Sequence, residues 1–443
     1  MNAMKLRHAV DNGPMSAFQW QAIAICFLLN AIDGLDVLAM AFTASAVSHE
    51  WGLSGAELGM LLSAGIVGMA IGSALIAPFA DTYGRRPLIM LSLLLSGTCM
   101  TLSFWSPNPQ SLAVLRVLTG IGVGTILASA NVLSSEYANR RWRGLAISLQ
   151  SVGFALGATL GGLLATYLND TLGWRYVFLT GGLLTLLALL VVAVQLPESL
   201  DFLLHKRPAQ ALARVNTLAS KLKQPSLAQL PEQSAEVSRH SNYRQLFDSR
   251  NLTTTLLLGM AFFLVMFSFY FVMSWTPRLL EAAGLSAEHG IAGGMLLNLG
   301  GMVGALLMGV GASRIRLSAI LHAFLLLTAI MLVVMVPAAQ FLALALSVGF
   351  FIGLLLNGAI AGLYTTVPQS YDAAIRASGV GVVLGFGRLG AIVSPLVAGV
   401  LLDAAWQPAR LYALYAGALL LALGVMLMFH AHVRPRLSRE NTV

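Results

Sequence analysis

The chain contains few charged residues. Asp, Glu, Lys and Arg make up 10% of its 443 residues, whereas 57% are hydrophobic and the mean hydropathy is +0.80. A soluble globular domain carries about 25% charged residues, so the composition excludes an ordinary soluble protein. It indicates a polytopic membrane protein, and the 43 glycines are typical of membrane helices that pack closely.

Cysteines and catalytic motifs are also scarce. Cys26 and Cys99 both fall in apolar runs, which argues against a structural disulfide. The sequence contains no metal-ligand cluster, nucleophile elbow or Walker motif, so we predict no enzyme activity, no cofactor and no metal. The net charge of +8 does not point to nucleic acid, because membrane proteins concentrate Lys and Arg on their cytoplasmic side.

Twelve apolar segments are each long enough to cross a bilayer, which needs about 20 residues. They predict an all-α membrane protein with six-helix bundles at 1–196 and 252–443. A polar cytoplasmic linker with four prolines lies between them at 197–251, and residues 200–222 are expected to form one amphipathic surface helix. The predicted spans are residues 20–46, 56–80, 87–105, 109–134, 143–168, 174–196, 252–276, 288–312, 317–336, 339–365, 375–402 and 408–430.

The distribution of basic residues predicts the orientation. With both termini inside, the cytoplasmic segments hold 21 of the 26 Lys and Arg, the outer loops hold three, and two lie within spans. We therefore expect a multi-pass protein of the inner membrane with cytoplasmic termini. When the first half of the sequence is aligned with the second, a weak repeat places Arg143 opposite Arg376. Two related halves are typical of a secondary transporter that binds its substrate near the midplane.

Two acids in the first span are the most unusual feature. Asp33 and Asp36 lie three residues apart, so they share a helix face with Asn30, and Gly34 allows either close packing or local unwinding. An Asp at the centre of a membrane helix costs about 2.5 to 3.5 kcal/mol, and two neighbouring carboxylates disfavour ionisation of both. This pattern predicts proton coupling; the alternative is a structural partner for a buried arginine.

Two arginines, Arg116 and Arg388, also fall within predicted spans, each in a glycine-rich run. A permanent cation in an apolar setting needs a carboxylate, which a protein side chain or a substrate can supply. We predict substrate contact for both, with an internal pair to Asp33 or Asp36 as the alternative. Polar or aromatic residues in spans are further candidates for substrate binding, with helix packing as the alternative: Asn30, Gln150, Tyr270, Trp275, Asn298 and Asn357.

A charged loop between the second and third spans is predicted to form a gate. Asp81 can cap a helix or pair across the interface between the predicted bundles, and Arg85 and Arg86 are expected to meet the inner leaflet. Glu136, at the end of the fourth span, is expected to join this network. The predicted gating residues are Asp81, Arg85, Arg86, Glu136, Arg143 and Arg376.

The same loop resembles the signature of the major facilitator superfamily, G-x-x-x-D-x-x-G-R-R, with Ala77 in place of the leading Gly. The run 116–124 resembles that superfamily's fourth-helix motif, and 196–199 resembles its usual exit from the sixth helix. Asp33-Gly34-Leu35-Asp36 and the pattern at 376–392 resemble the aromatic acid:proton symporters. That resemblance implies two pseudo-symmetric bundles, proton-coupled uptake through Asp33 and Asp36, and arginines near the cavity.

We therefore predict a monomeric proton symporter that imports a small aromatic carboxylate. Exporting relatives carry a proline in the fifth-helix pattern where this chain has Ala158, which favours import. Two alternatives remain: a proton-coupled exporter of small amphipathic compounds, and a nutrient sensor that binds without transport. The short linker argues against the sensor. The predicted partners are the carboxylate, the proton and the lipid bilayer.

Overall fold

The structure is a computed structural model in which all regular structure is helical. Among the described residues there are no strands, and twelve helices are long and apolar enough to cross a membrane. This confirms the predicted fold class. The basic residues at both termini and the linker segment 230–247 lie outside the described residues. The structure describes residues 10–206, 210–222, 224–227, 229, 248–312, 314–372 and 375–433.

The spanning helices follow the apolar segments closely. Six precede the linker, namely α1 (Ala17–Trp51), α2 (Gly55–Tyr83), α3 (Arg85–Trp105), α4 (Pro109–Tyr137), α5 (Arg143–Thr171) and α6 (Arg175–Gln195). Two short linker helices follow, α7 (Leu200–Lys206) and α8 (Ala211–Lys221). The other six are α9 (Asn251–Ala282), α10 (Ala287–Ala312), α11 (Leu317–Ala338), α12 (Leu342–Gln369), α13 (Ser378–Asp403) and α14 (Pro408–Ala431).

The linker differs from the prediction of one continuous helix over 200–222, which is wrong. Gln210 has φ of 61°, a left-handed conformation that a right-handed helix cannot include, so the segment forms α7 and α8. Their apolar residues pack together with Val10 from the N-terminal segment, and Leu203 and Val215 are fully buried there. The linker helices therefore have a hydrophobic core of their own.

The described residues divide into two compact units. The first unit comprises the described residues within 1–37, 67–161 and 172–239. The second comprises those within 38–66, 162–171 and 240–443. Helices α1, α2 and α5 thus each contribute one part to the first unit and another to the second. The division at the linker into 1–196 and 252–443 remains a prediction.

Helices α1 and α5 pack closely in the first unit. A Cβ atom at Gly34 would overlap the Phe154 carbonyl, and one at Gly157 would overlap the Ala31 carbonyl. Helix α1 stays regular throughout 17–51. Of the two roles predicted for Gly34, close packing is therefore the one observed, and it places the two acids of α1 in a tightly packed interior.

Helix α2 is irregular near its C-terminal end. A π-helical turn, Gly72–Ile76, leads into a 3₁₀ turn, Ala77–Phe79, that contains Pro78. Proline lacks a backbone donor and disturbs helical hydrogen bonding. Gly84 then separates α2 from α3 with φ of 102°, a region that favours glycine. The irregular stretch 72–84 therefore sets the position of the predicted gate motif between α2 and α3.

In the second unit, α9, α13 and α14 are joined by aromatic and polar contacts. The rings of Phe271 and Tyr415 stack with centroids 3.9 Å apart. The Tyr415 hydroxyl donates to the Ser394 carbonyl at 2.7 Å, and the Ser394 hydroxyl donates to the Phe267 carbonyl. These hydrogen bonds satisfy buried polar groups, as a packed interior requires.

Candidate functional site

The first unit contains a buried charge cluster, which we define as Asp33, Asp36 and Arg116. All three are at most 3% exposed. Arg116 reaches from α4 to α1, where its Nη2 donates to the backbone carbonyl of Asp36 at 2.7 Å. Its guanidinium also interacts electrostatically with the Asp36 carboxylate. Helix α1 and helix α4 thus bring together residues 80 positions apart.

The cluster also contains groups that sequence reasoning missed. The Thr185 hydroxyl of α6 lies 3.5 Å from Asp36 Oδ2, and the Phe178 ring centroid lies 5.7 Å from the Arg116 guanidinium carbon. Thr185 is buried in a largely apolar span that also contains Thr180. The Thr185 hydroxyl could have drawn attention in the sequence, but the sequence of α6 alone does not show which way that face of the helix points. Asp36 therefore has both a cation and a hydroxyl nearby.

The cluster is not electrostatically balanced. It contains two carboxylates and one guanidinium. Among the described residues, Asp33 Oδ2 and Asp36 Oδ1 are buried without a hydrogen-bond partner, as are Nε and Nη1 of Arg116. Because unpaired charge is costly in an apolar interior, full ionisation of both acids would leave one negative charge uncompensated. Binding of one proton would neutralise the cluster.

Asn30 and Gln150 form a polar network beside the cluster. Asn30 Nδ2 donates to Gln150 Oε1 at 2.9 Å, and Gln150 Nε2 donates to the Ser134 hydroxyl at 3.0 Å. Both amides are at most 2% exposed. The structure therefore brings these two predicted binding residues together as a bridge between α1, α4 and α5.

The second unit contains a half-buried arginine among aromatic residues. Arg388 of α13 interacts electrostatically with Tyr364 of α12, which also interacts with Tyr270 of α9. Tyr364 is 49% exposed, and its ring meets Phe262 edge to face with centroids 5.2 Å apart. This arrangement offers a cation and an accessible hydroxyl to an anion, and aromatic surface to a ring.

The remaining predicted binding residues make intrahelical or core contacts. Trp275 is completely buried and its indole N–H donates to the Pro395 carbonyl at 3.3 Å, so its ring packs in the interior instead of facing an open surface. Asn298 and Asn357 donate to carbonyls one turn earlier on their own helices, at 2.9 and 3.1 Å. For Trp275, the structure shows the packing that was the alternative to substrate binding, and a role in binding stays a prediction.

Three predicted gate residues of the first unit, Asp81, Arg85 and Glu136, meet around the Arg85 guanidinium. This guanidinium pairs with Glu136, and Asp81 Oδ1 lies 3.4 Å away. Sequence reasoning did not select Glu198, whose Oε1 accepts from the backbone N–H groups of Arg85 and Arg86 at 2.9 and 3.2 Å. The conspicuous Pro-Glu-Ser run after α6 was the signal. Asp81 is largely exposed and contributes only a weak contact.

The two other predicted gate arginines make separate contacts. Arg143 pairs with Asp11 of the N-terminal segment at 2.6 Å in the first unit. In the second unit, Arg376 Nε donates to the Tyr371 carbonyl at 3.4 Å. The Tyr371 hydroxyl donates to Thr255 at 3.1 Å, and burial raises the pKa of Tyr371, which keeps it a neutral donor.

The described residues thus form twelve apolar helices with charged groups buried among them, an arrangement that is typical of membrane transporters. The sequence profile of the Major Facilitator Superfamily matches residues 23–373, and the chain belongs to that family of transporters. The gallate transporter of Pseudomonas putida is 34% identical over 435 residues, which cover 96% of this chain and 95% of that protein. The 4-hydroxybenzoate transporter PcaK of Acinetobacter baylyi is 32% identical, covering 90% and 88%.

Solved structures share the fold. The Escherichia coli xylose transporter XylE, in a partially occluded inward-open conformation, superposes with a TM-score of 0.72 and 16% sequence identity. The match covers 94% of this chain and 98% of that one. At this identity the likeness establishes the fold alone. It supports the twelve-helix architecture predicted from the apolar segments.

Proposed function

We propose that the protein is a proton symporter that imports a small aromatic carboxylate across the inner membrane by alternating access. The charge cluster is the observation that carries the proposal, because it contains two buried carboxylates that repel each other and one buried arginine, which interacts with Asp36. Proton binding removes the excess negative charge, and proton release restores it. A carrier can therefore link each protonation state to one conformation.

Within the cluster, we assign the transported proton to Asp33. Asp36 has the Arg116 guanidinium and the Thr185 hydroxyl to stabilise its negative charge. Asp33 lies beside Asp36, and their charges repel. Asp33 is thus the acid whose ionisation the surroundings favour least. Arg116 acts as the counter-ion of Asp36 and not as a substrate ligand.

For the substrate, we assign carboxylate binding to Arg388. A guanidinium offers two parallel N–H donors to a carboxylate, and Tyr364 and Phe262 place aromatic surface beside it. The names of the relatives support this class of substrate, since gallate and 4-hydroxybenzoate are both aromatic acids. Asn357 and Asn298 remain candidates for contacts with substituents on the ring.

The remaining parts of the proposal concern orientation and gating. The excess of Lys and Arg in the segments predicted to be cytoplasmic supports cytoplasmic termini. In that orientation, the network of Arg85, Glu136 and Glu198 lies at the inner end of the first unit and forms an inner gate. We propose a monomer, because each chain carries both the charge cluster and Arg388.

Transport into proteoliposomes under an imposed pH gradient tests the proposal. With the outside one pH unit more acidic, a one-to-one symporter accumulates labelled 4-hydroxybenzoate about tenfold, and a protonophore abolishes the accumulation. The Asp33→Asn variant should lose accumulation but retain exchange of labelled for unlabelled substrate, because the cluster stays neutral throughout. The matched control is Asp170→Asn, which removes an exposed acid at the end of α5.

The outcomes separate the alternatives. Accumulation by Asp33→Asn equal to that of the wild type would move the proton site elsewhere. Uptake that ignores the gradient would remove proton coupling. Substrate efflux driven by the same gradient would favour the exporter, and substrate binding without any flux would favour the sensor.

A further inference from the structure

Helix α2 and helix α13 meet along a narrow seam in the second unit. We define the seam as Gly55, Gly59 and Ser63 of α2 with the residues of α13 that they contact. These three positions are four residues apart, so they form one face of α2. A Cβ at Gly59 would overlap the Pro395 carbonyl, and the Ser63 hydroxyl donates to the Ile392 carbonyl at 2.9 Å.

The seam ends at an exposed carboxylate. Asp403, the last residue of α13, accepts hydrogen bonds from the backbone N–H groups of Gly55 at 2.6 Å and Ala56 at 2.8 Å. Cβ atoms at Gly55 and Gly399 would each overlap the other residue's carbonyl, so the two helices touch at this point. Arg278 of α9 interacts electrostatically with Asp403.

The N-terminus of α2 is capped from two sources. Ser54 and Glu57 form a capping box: the Glu57 carboxylate accepts from Ser54 N at 2.9 Å, and the Ser54 hydroxyl accepts from Glu57 N at 3.2 Å. The first-turn donors of Gly55 and Ala56 are left for Asp403. Helix α2 thus caps itself locally and gives its other two donors to α13.

This division makes the Asp403 contact reversible. If α2 leaves α13, water can replace the carboxylate at both N–H groups, because the contact is exposed. The capping box stays intact, so α2 remains helical. A carboxylate at a helix N-terminus is also favoured by the helix dipole, and this attraction stabilises the closed seam without making it permanent.

We propose that Asp403 is a gating residue that latches the outer end of α2 to α13 and must release it whenever the carrier opens to the outside. The inference depends on the proposed topology and alternating access. In that topology, the N-terminus of α2 and the C-terminus of α13 both face outward. The Asp403 carboxylate then sets the balance between outward-closed and outward-open conformations.

Thiol accessibility measures this balance without any substrate. Ser63 is 2% exposed in the closed seam. A Ser63→Cys variant, in a background with Cys26→Ala and Cys99→Ala, should react with a membrane-impermeant maleimide only when the seam is open. In right-side-out vesicles, adding Asp403→Asn should raise the labelling rate about fivefold, as expected when the side chain loses its charge and keeps one acceptor oxygen for the two N–H groups.

Two further variants make the test specific. Glu57→Gln removes a charge from the same helix terminus but keeps a side chain suited to the capping box, so its labelling rate should match the parent. Gly55→Ala should raise the rate further, because its Cβ would overlap the Gly399 carbonyl. Thermal unfolding of each purified variant checks that labelling does not reflect global unfolding.

An unchanged labelling rate in Asp403→Asn would overturn the proposal, and so would an equal rise in Glu57→Gln. If Gly55→Ala opens the seam and Asp403→Asn does not, helix packing alone holds the seam. If the maleimide labels Ser63→Cys only when it is added to the inner side of the membrane, the proposed topology is overturned. Because none of these readouts uses a substrate or a proton gradient, failure of the latch is distinguishable from failure of the proposed symport.

Discussion

The two arginines within the spans occupy opposite environments. Arg116 in the first unit is 3% exposed and lies beside the Asp36 carboxylate. Arg388 in the second unit is half-buried, and its described electrostatic neighbour is a tyrosine. One cation is already compensated by the protein, whereas the other is accessible to an incoming anion. The same residue type, in two similar glycine-rich runs, therefore lies in two opposite environments, and we propose a different role for each.

This contrast supports the separate roles that we propose for the two arginines. A buried arginine with an internal acid contributes to the architecture and to the charge balance of the proton site. An arginine that reaches accessible space can exchange water for a carboxylate. Substitutions that remove each guanidinium should therefore separate, one affecting mainly stability and the other mainly substrate binding.

The largest expected effect is on stability, from Arg116→Gln. Removing a buried cation that interacts with a buried carboxylate costs about 3 kcal/mol, because the Asp36 carboxylate would lose its compensating charge and its backbone carbonyl would lose a hydrogen bond. Thermal unfolding in detergent should show a clear fall in the melting temperature. Adding Asp36→Asn should recover part of this loss, since the uncompensated carboxylate is then gone. Additive effects of the two substitutions would contradict the pairing.

The matched substitution in the second unit is Arg388→Gln. We expect the KM for labelled 4-hydroxybenzoate to rise about 30-fold or more, as loss of a charge-assisted contact worth about 2 kcal/mol implies. The melting temperature should stay close to that of the wild type, because Arg388 is half-buried. Arg388→Lys keeps the charge but lacks the planar guanidinium. Its KM should lie between those of the wild type and Arg388→Gln.

An unchanged KM in Arg388→Gln would remove the arginine from the substrate site. A large fall in melting temperature with little change in KM would instead make Arg388 resemble Arg116. Either result would break the contrast between the two units, whereas opposite responses of the two arginines would sharpen it.

Much of the fold was accessible from the sequence because each span depends on local composition. A bilayer selects uninterrupted apolar helices, so the twelve segments could be counted without knowledge of their packing. The split of the linker was missed although Pro208, a helix-breaking residue, lies between α7 and α8 in the sequence. Amphipathic periodicity continues across such a break and does not reveal it.

The charge cluster was only partly predictable. Asp33, Asp36 and Arg116 are conspicuous as charges within spans, yet the partner of Arg116 depends on how α1, α4 and α6 are rotated. Thr185 is one hydroxyl in an apolar helix, and its contact with Asp36 is set by tertiary packing. Trp275 shows the same limit, because its aromatic character fitted both substrate binding and helix packing, and only the structure shows that its ring is fully buried.

The smallest expected effect concerns Tyr364, which lies near Arg388 in the second unit. Tyr364→Phe removes a hydroxyl beside Arg388 but keeps the ring that meets Phe262 edge to face. If the hydroxyl donates to the same carboxylate as Arg388, its loss costs about 1 kcal/mol, and the KM for 4-hydroxybenzoate should rise about fivefold. The matched control is Tyr371→Phe, whose hydroxyl donates to Thr255.

Comparison of benzoate with 4-hydroxybenzoate shows which group of the substrate Tyr364 contacts. Contact with the carboxylate should raise the KM for benzoate and 4-hydroxybenzoate equally, because both carry that group. A rise confined to 4-hydroxybenzoate would place Tyr364 beside the ring hydroxyl instead. No change for either substrate, with Arg388→Gln still defective, would leave the arginine as the sole anion ligand among these side chains and make Tyr364 a packing residue.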